Sequence, residues 1–312
     1  MHEHIAPVVY YLEVHLLYAS IVCLAAWVLT SLWKGNATWK YWIWVATSLN
    51  FIVPLGGFFN RFGASPVSWA TQLSGLDDVG IGISRNLAVG AVLSGVWLFG
   101  AIFMFARLLL RMRRDHRDAR VAVGQNSARL KPRFLAYGVP VRLSAMGEAP
   151  SVDGVLRPHI SLPQGIERLL SEAELDAVLI HEVIHARRRD NLIGLLHELA
   201  LCGLWFHPLV WLTRFRLAMF RELSCDDSVI ASSRGADLVS ALAKLAVPEG
   251  SHLLRAGAAS FLSHRVARLT TSEPERRNHA VDWLLIAVFA GIFLGCVLGT
   301  IAHNPSCFRV RI

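Results

Sequence analysis

The chain has 312 residues, 54% hydrophobic and 17% charged, with a mean hydropathy of +0.44; soluble domains carry about 25% charged residues, so this is the composition of a membrane protein. Most of the net charge of +8 sits beside apolar runs, where anionic headgroups and topology account for it; no nucleic-acid reader motif occurs, and no direct nucleic-acid binding is expected. The five cysteines, Cys23, Cys202, Cys225, Cys296 and Cys307, form no CxxC pair, which excludes a disulfide framework and a thiolate zinc site.

Four apolar runs, 8–32, 41–59, 87–110 and 283–301, approach the roughly 20 residues that cross a hydrocarbon core at about 1.5 Å each. The segment before the first, MHEHIAP, has no Lys or Arg and carries Glu3, so it does not read as a cleaved signal. Glu13 and His15 fall in that run, where ionisable groups usually face a cavity or a partner; lying near its outer end, they could equally reach the interface. Between runs one and two stand Lys34 and Lys40, with the stretch TWKYWIW (Trp39, Trp42, Trp44) reading as an interfacial belt. Residues 60–86 hold only Arg61 and Arg85 against Asp77 and Asp78, whereas RMRRDHRDAR follows run three. Arg265, Arg268, Arg276 and Arg277 precede run four. This bias puts the N-terminus outside, 111–280 in the cytoplasm and the tail 303–312 outside, although Arg309 and Arg311 pull weakly the other way.

Residues 121–163 are turn-rich and read as small strands broken by Gly and Pro. Pro158 demotes VLRPHISL, 155–162, to an edge or bent strand, and such an edge could take up a substrate in extended form. From Ser171 the texture turns helical. Ser171 and Glu174 make a capping box ahead of LDAVLIHEVIHARRR, whose apolar stripe is Leu175, Val178, Leu179 and Ile184. The next segment, 191–206, is apolar apart from His197 and Glu198. It reads as a helix under the site or at the membrane surface, with a re-entrant hairpin as the alternative. Pro208 suits the first turn of another helix, PLVWLTRFRLAMFRELSCDDSVI.

Within LIHEVIHARRRD, 179–190, His181 and His185 are four apart on one helical face and can each place a ring nitrogen on one ion. Glu182, rotated about 100°, borders that ion and can take a proton from a water and return it. With 13 His in the chain, HExxH arises in about 2% of shuffled sequences, so context has to decide. A catalytic zinc usually keeps three protein ligands. Glu222 in RELSCDD meets that need, and Glu222 with Asp226 puts two carboxylates on one helical face. One can bind the ion and the other can hold a spare ring N–H. The bland alternative pairs both with Arg221, Arg216 or Arg187 to Arg189. RRRD itself reads as a basic helix end beside the membrane. His197 and His207 either serve the site as oxyanion donors or pack in a core.

Taken in order, RPHISLP, LSEAELDAVLIHEVIHARRRD, LWFHPLVW and RELSCDD resemble the BlaR/MecR-type antirepressor membrane metallopeptidases. The resemblance spans nearly the whole chain in layout and is most specific over 157–230. It implies a mainly α membrane protein. Three transmembrane helices lie within 1–110, a cytoplasmic α+β zincin-like (gluzincin) metallopeptidase domain occupies 111–280, a fourth span covers 281–302 and a short tail covers 303–312. It further implies Zn2+ on His181, His185 and Glu222, Glu182 as general base, and Asp226 orienting a ligand histidine. Two departures stand out. His207 replaces the family's usual Asn before Pro208, and the chain ends 11 residues after Ile301, where drug-sensing members continue into a penicillin-binding domain.

The expected function is therefore a zinc endopeptidase of the bacterial inner membrane that cleaves a cytoplasmic regulatory protein, such as a transcriptional repressor, in signal transduction. A general quality-control membrane protease and a non-catalytic scaffold of the same fold are the rivals. Breadth of substrates separates the first rival, and bound zinc the second.

Overall fold

Helix α1 (His2–Leu32) is followed by α2 (Ala37–Ile52) and α3 (Leu87–Val121). Three short strands come next, β1 (Val141–Ser144), β2 (Ser151–Asp153) and β3 (His159–Pro163). After them come α4 (Ile166–Leu169), α5 (Glu172–Arg188), α6 (Asp190–Gly203), α7 (Pro208–Ala231), α8 (Gly235–Leu245) and α9 (His279–Ala302), with residues 265–270 also helical between α8 and α9. The structure is a computed structural model and describes residues 2–33, 35–52, 87–121, 138–144, 149–245, 263, 265–270 and 279–302.

Three described helices are long and apolar enough to cross a membrane, over Val14–Leu32, Val89–Arg113 and Ala280–Leu298. They answer to the first, third and fourth apolar runs. The second run falls on α2 as far as Ile52, and the rest of it lies outside the described residues, as do 60–86, Arg276, Arg277 and the tail. What is described of α2 is a core element: Tyr41 and Trp44 are fully buried, and the Trp44 indole donates to Thr30 Oγ1 at 3.2 Å. The tryptophan stretch thus divides, with Trp39 and Trp42 on the outer face and Trp44 turned inward. His15 is buried as well, which fits a group facing a partner rather than the interface; Glu13 falls outside the described side chains.

The strands form one sheet in the order β1-β3-β2. β3 is central, parallel to β1 with Val141 opposite Ile160 and antiparallel to β2 with Val152 opposite Ile160. This corrects the edge-strand expectation for 155–162. Pro158 stands just before the strand, where its missing N–H costs the ladder nothing, and β3 is paired on both sides. Between β2 and β3, Gly154 adopts φ +82°, and a Cβ there would lie 2.6 Å from the Arg157 carbonyl oxygen, so the turn requires glycine.

Ser171 starts α5 with the expected capping box: its hydroxyl accepts from Glu174 N–H at 3.3 Å, and its own N–H donates to Glu174 Oε2 at 2.7 Å. The buried stripe of α5 includes Leu175, Val178 and Leu179, facing the sheet and α8. Pro208 occupies the first turn of α7 as expected. The segment 191–206 is helical in α6 as far as Gly203, packed beside α2, α3 and α7, and turns from Leu204 onward.

Two apolar cores result. One is built from Ile160, Leu162, Leu179 and Leu238, joining the sheet, α5 and α8; the other is built from Val22, Trp44, Leu201 and Phe289, joining α1, α2, α6 and α9. Helix α7 belongs to both, because Val210, Leu217, Phe220 and Leu223 enter the second and Val229 enters the first. Glu222 and Asp226 therefore sit where the cores meet.

Candidate metal centre

Helix α5 presents His181 and His185, each less than a tenth exposed, one turn apart on one face. Helix α7 crosses it and brings Glu222 to them. His181 Nε2 and His185 Nε2 are 3.2 Å apart, and Glu222 Oε2 lies 3.5 Å from the first and 3.8 Å from the second. A four-coordinate ion with ligands at about 2.0–2.1 Å sets its donors about 3.3 Å apart, so these three atoms have the spacing of three corners of such a site. Glu182 is 9% exposed, lies against both histidines, and has no hydrogen bond among the described residues.

Each ring is held from behind. His185 Nδ1 is 2.7 Å from Asp190 Oδ2, and His181 Nδ1 is 3.2 Å from Asp226 Oδ1, a contact off the line of a good hydrogen bond. With Nδ1 turned to a carboxylate, the Nε2 lone pair of each ring is directed to the shared point, an arrangement that two neutral rings alone would disfavour and a cation would reward. Sequence reasoning had found Asp226 but not Asp190. ARRRD reads as a run of like charges, yet the helix breaks at Arg189, which takes the left-handed conformation (φ 57°), and Asp190 turns back under His185. Within the run, Arg187 and Arg189 are exposed, whereas Arg188 points inward. Arg188 donates to Asp190 at 2.6 and 2.7 Å, to Ser224 Oγ at 2.8 Å and to the Arg221 carbonyl at 3.1 Å, and its guanidinium lies 4.0 Å over the Tyr41 ring. Tyr41 in turn donates to Asp190 Oδ1 at 2.7 Å. RRRD is thus not simply a basic end beside the membrane, because its middle Arg and its Asp belong to the site.

Arg265 is the other residue missed. Eighty positions downstream of His185, it grips Asp226 with two hydrogen bonds of 2.8 Å and lies 3.4 Å from Glu222 Oε2. The bland pairing of the carboxylates is also present in part: Glu222 turns Oε1 to Arg221 at 3.0 Å and Oε2 to the histidines. One carboxylate does both jobs with different oxygens.

The electrostatics agree with a site that demands positive charge. Burial disfavours a charged His181, but Asp226 and Glu222 outweigh it and push its pKa up to about 9. Burial opposes ionisation of Glu222 as well, yet His181, His185 and Arg221 hold it well below the usual carboxylate range. Glu182 goes the other way: its burial outweighs the nearby histidines and raises its pKa, as suits a group that must accept a proton. Cys225 Sγ lies 3.6 Å from His185 Nδ1, the ring nitrogen turned away from the shared point, and burial raises its thiol pKa.

His197 and His207 lie elsewhere. His197 pairs with Ser48 Oγ at 2.8 Å, and His207 reaches Ser20 Oγ at 3.2 Å with its ring 5.5 Å from Phe51. Both tie α6 and the start of α7 to the helices of the second core.

The family profile described as BlaR1 peptidase M56 matches residues 11–266. The regulatory protein BlaR1 of Bacillus licheniformis is 28% identical over 175 residues, covering 53% of this chain and 28% of that protein. The methicillin resistance mecR1 proteins of Staphylococcus aureus and Staphylococcus epidermidis are each 19% identical over 221 residues, covering 60% of this chain and 37% of theirs. The chain therefore spans well under half the length of these curated relatives.

Proposed function

Since the chain belongs to the BlaR1 peptidase M56 family, we propose that it is a zinc endopeptidase of the bacterial cytoplasmic membrane, with four spans and its active site on the cytoplasmic side. Its substrate is a regulatory protein such as a transcriptional repressor. The observation that carries this reading is the meeting of His181 Nε2, His185 Nε2 and Glu222 Oε2 within 3.8 Å of one another, with Asp226 and Asp190 behind the two rings. Two imidazoles and a carboxylate form the donor set of a hydrolytic zinc site. When bound, zinc supplies Lewis acidity, lowering the pKa of a water and drawing electrons from the scissile carbonyl.

The chain's own residues do the rest. Glu182 takes the proton of the attacking water and hands it to the leaving amine, for which its raised pKa and lack of a competing hydrogen bond prepare it. Asp190 and Asp226 keep the imidazoles in the tautomer that points Nε2 inward, and Arg188 and Arg265 keep those carboxylates ionised and in place. The names of the BlaR1 and mecR1 relatives, a regulatory protein and a resistance protein, support a regulatory substrate over general proteolysis.

The test pairs two variants with a search for cleavage products. Glu182→Gln is expected to keep zinc by elemental analysis while cleavage falls at least about 100-fold, and His185→Ala to lose both. Full metal-dependent proteolysis by Glu182→Gln would falsify the mechanism. New protein termini in cells with the wild type but not Glu182→Gln should map to one or two proteins; dozens would assign the enzyme to quality control instead.

A further inference from the structure

Behind Asp190, away from the metal ligands, a cavity of about 580 Å3 lies between α2, α3, α6 and α7. Its walls are of two kinds. Arg111, Arg214 and Arg221 line it beside Glu198 and Asp190; Asp190 is satisfied by Arg188 and Tyr41 and Arg221 is paired with Glu222, so Arg111 and Arg214 share the one carboxylate of Glu198 and one positive charge is left over. Trp211 and Phe215 line it too, 37% and 65% exposed. Along α7 these side chains fall on one face at spacings of three and four, so cations and aromatic rings alternate within a single cavity.

Its depth is set by α3. The apolar stretch Val89–Arg113 is mostly exposed, Leu108 being its one buried residue, and Arg111 stands near its end, where a spanning helix meets the headgroups. His197 also lines the cavity, 2% exposed, with Nδ1 on Ser48 and the Val210 backbone beside its ring. Glu198 now bridges Arg111 at 3.7 Å and Arg214 at 2.7 Å, the position an incoming anion would share.

We propose that this cavity binds the phosphodiester headgroup of an anionic phospholipid, with Arg111, Arg214 and Arg221 around the phosphate and Trp211 and Phe215 beside the glycerol and upper acyl chains. A monoanion matches the single excess charge, and the aromatic rims match a ligand that is half apolar. Arg221 also donates to Glu222 Oε1, so headgroup and candidate metal ligand share one guanidinium, and lipid occupancy bears on the metal centre through it.

Native mass spectrometry of the full-length protein in mild detergent tests this, by titration with phosphatidylglycerol, phosphatidylcholine of the same acyl chains, or inorganic phosphate. One phosphatidylglycerol should be retained per chain, at about fivefold lower concentration than phosphatidylcholine, and Arg111→Ala and Arg214→Ala should each weaken its retention about fivefold. Glu198→Gln, which removes the competing carboxylate, should strengthen retention, and Arg142→Ala on the sheet should leave it unchanged. Because Glu198→Gln is read as a gain, a variant that merely misfolds cannot mimic it. Equal retention of the two lipids, or indifference to all three cavity variants, overturns the proposal. Inorganic phosphate held as well as phosphatidylglycerol assigns the cavity to a soluble phosphoester and overturns the lipid reading.

Discussion

Asp190 shows how much one side chain can carry. Its two oxygens take Tyr41, Arg188 and His185, so a carboxylate at the start of α6 orients the His185 ring on α5 and pins α2 beneath it. Carboxylates behind metal-bound histidines are typically worth 10–100-fold in metal affinity. Asp190→Ala is accordingly expected to lower zinc affinity by about that factor in a chelator competition titration, with Arg142→Ala as an inert control; an unchanged affinity would leave Asp190 a purely structural residue. The HExxH spacing and Glu222 were legible in the sequence because helical periodicity fixes which neighbours share a face. Asp190 and Arg265 were not, since one depends on a left-handed break at Arg189 and the other on a contact across 39 residues from Asp226.

Among the elements, α5 begins in a cap that reaches beyond itself. Glu174 completes the box with Ser171, and its side chain also takes Lys244 at 2.7 Å and the Ser240 hydroxyl, both on α8. The Lys244 hydrogen bond is the main reason that its pKa drops from 4.5 to about 2, followed by those from Ser240 and the Ser171 backbone. A carboxylate with a depressed folded pKa stabilises the fold above its unfolded value and loses that contribution as pH falls through the folded one. The difference in Tm between the wild type and Glu174→Gln should therefore be full above about pH 4.5 and shrink toward zero near pH 2. A difference that does not change with pH would mean that the charge of Glu174 contributes nothing. The strands teach the opposite lesson. Pro158 argued for an edge, and the sheet made β3 central, because a proline just ahead of a strand is exempt from the pairing it would break inside one.

At the scale of the whole molecule, α7 is the joint between the sheet-side core and the core built on the membrane-type helices. Trp44 anchors that second core with no exposed surface, so Trp44→Ala should cost about 3–5 kcal/mol and loosen Glu222 along with it. Thermal unfolding in detergent and zinc retention should fall together; retention of zinc despite a lowered Tm would show that the two cores are not mechanically linked. Orientation is a separate question with its own check. Leu156 is 72% exposed at the turn between β2 and β3, whereas Cys23, Cys202, Cys225 and Cys296 are buried. In a Cys307→Ser background, Leu156→Cys should react with a membrane-impermeant maleimide in inside-out vesicles and not in intact cells; labelling in intact cells would reverse the proposed topology.

Membrane character, the helix that carries His181, Glu182 and His185, the capping box and the pair Glu222 and Asp226 on one helical face can all be read from the chain. Each of these follows from composition or from the 3.6-residue period, which are local properties of the chain. Folding adds that the Glu222 oxygen meets the histidine nitrogens, that Asp190, Arg188 and Arg265 stand behind them, and that arginines from α3 and α7 line one cavity with Trp211. Those juxtapositions depend on how α7 packs between two cores, and no spacing along a chain encodes a distance between residues that only folding brings together.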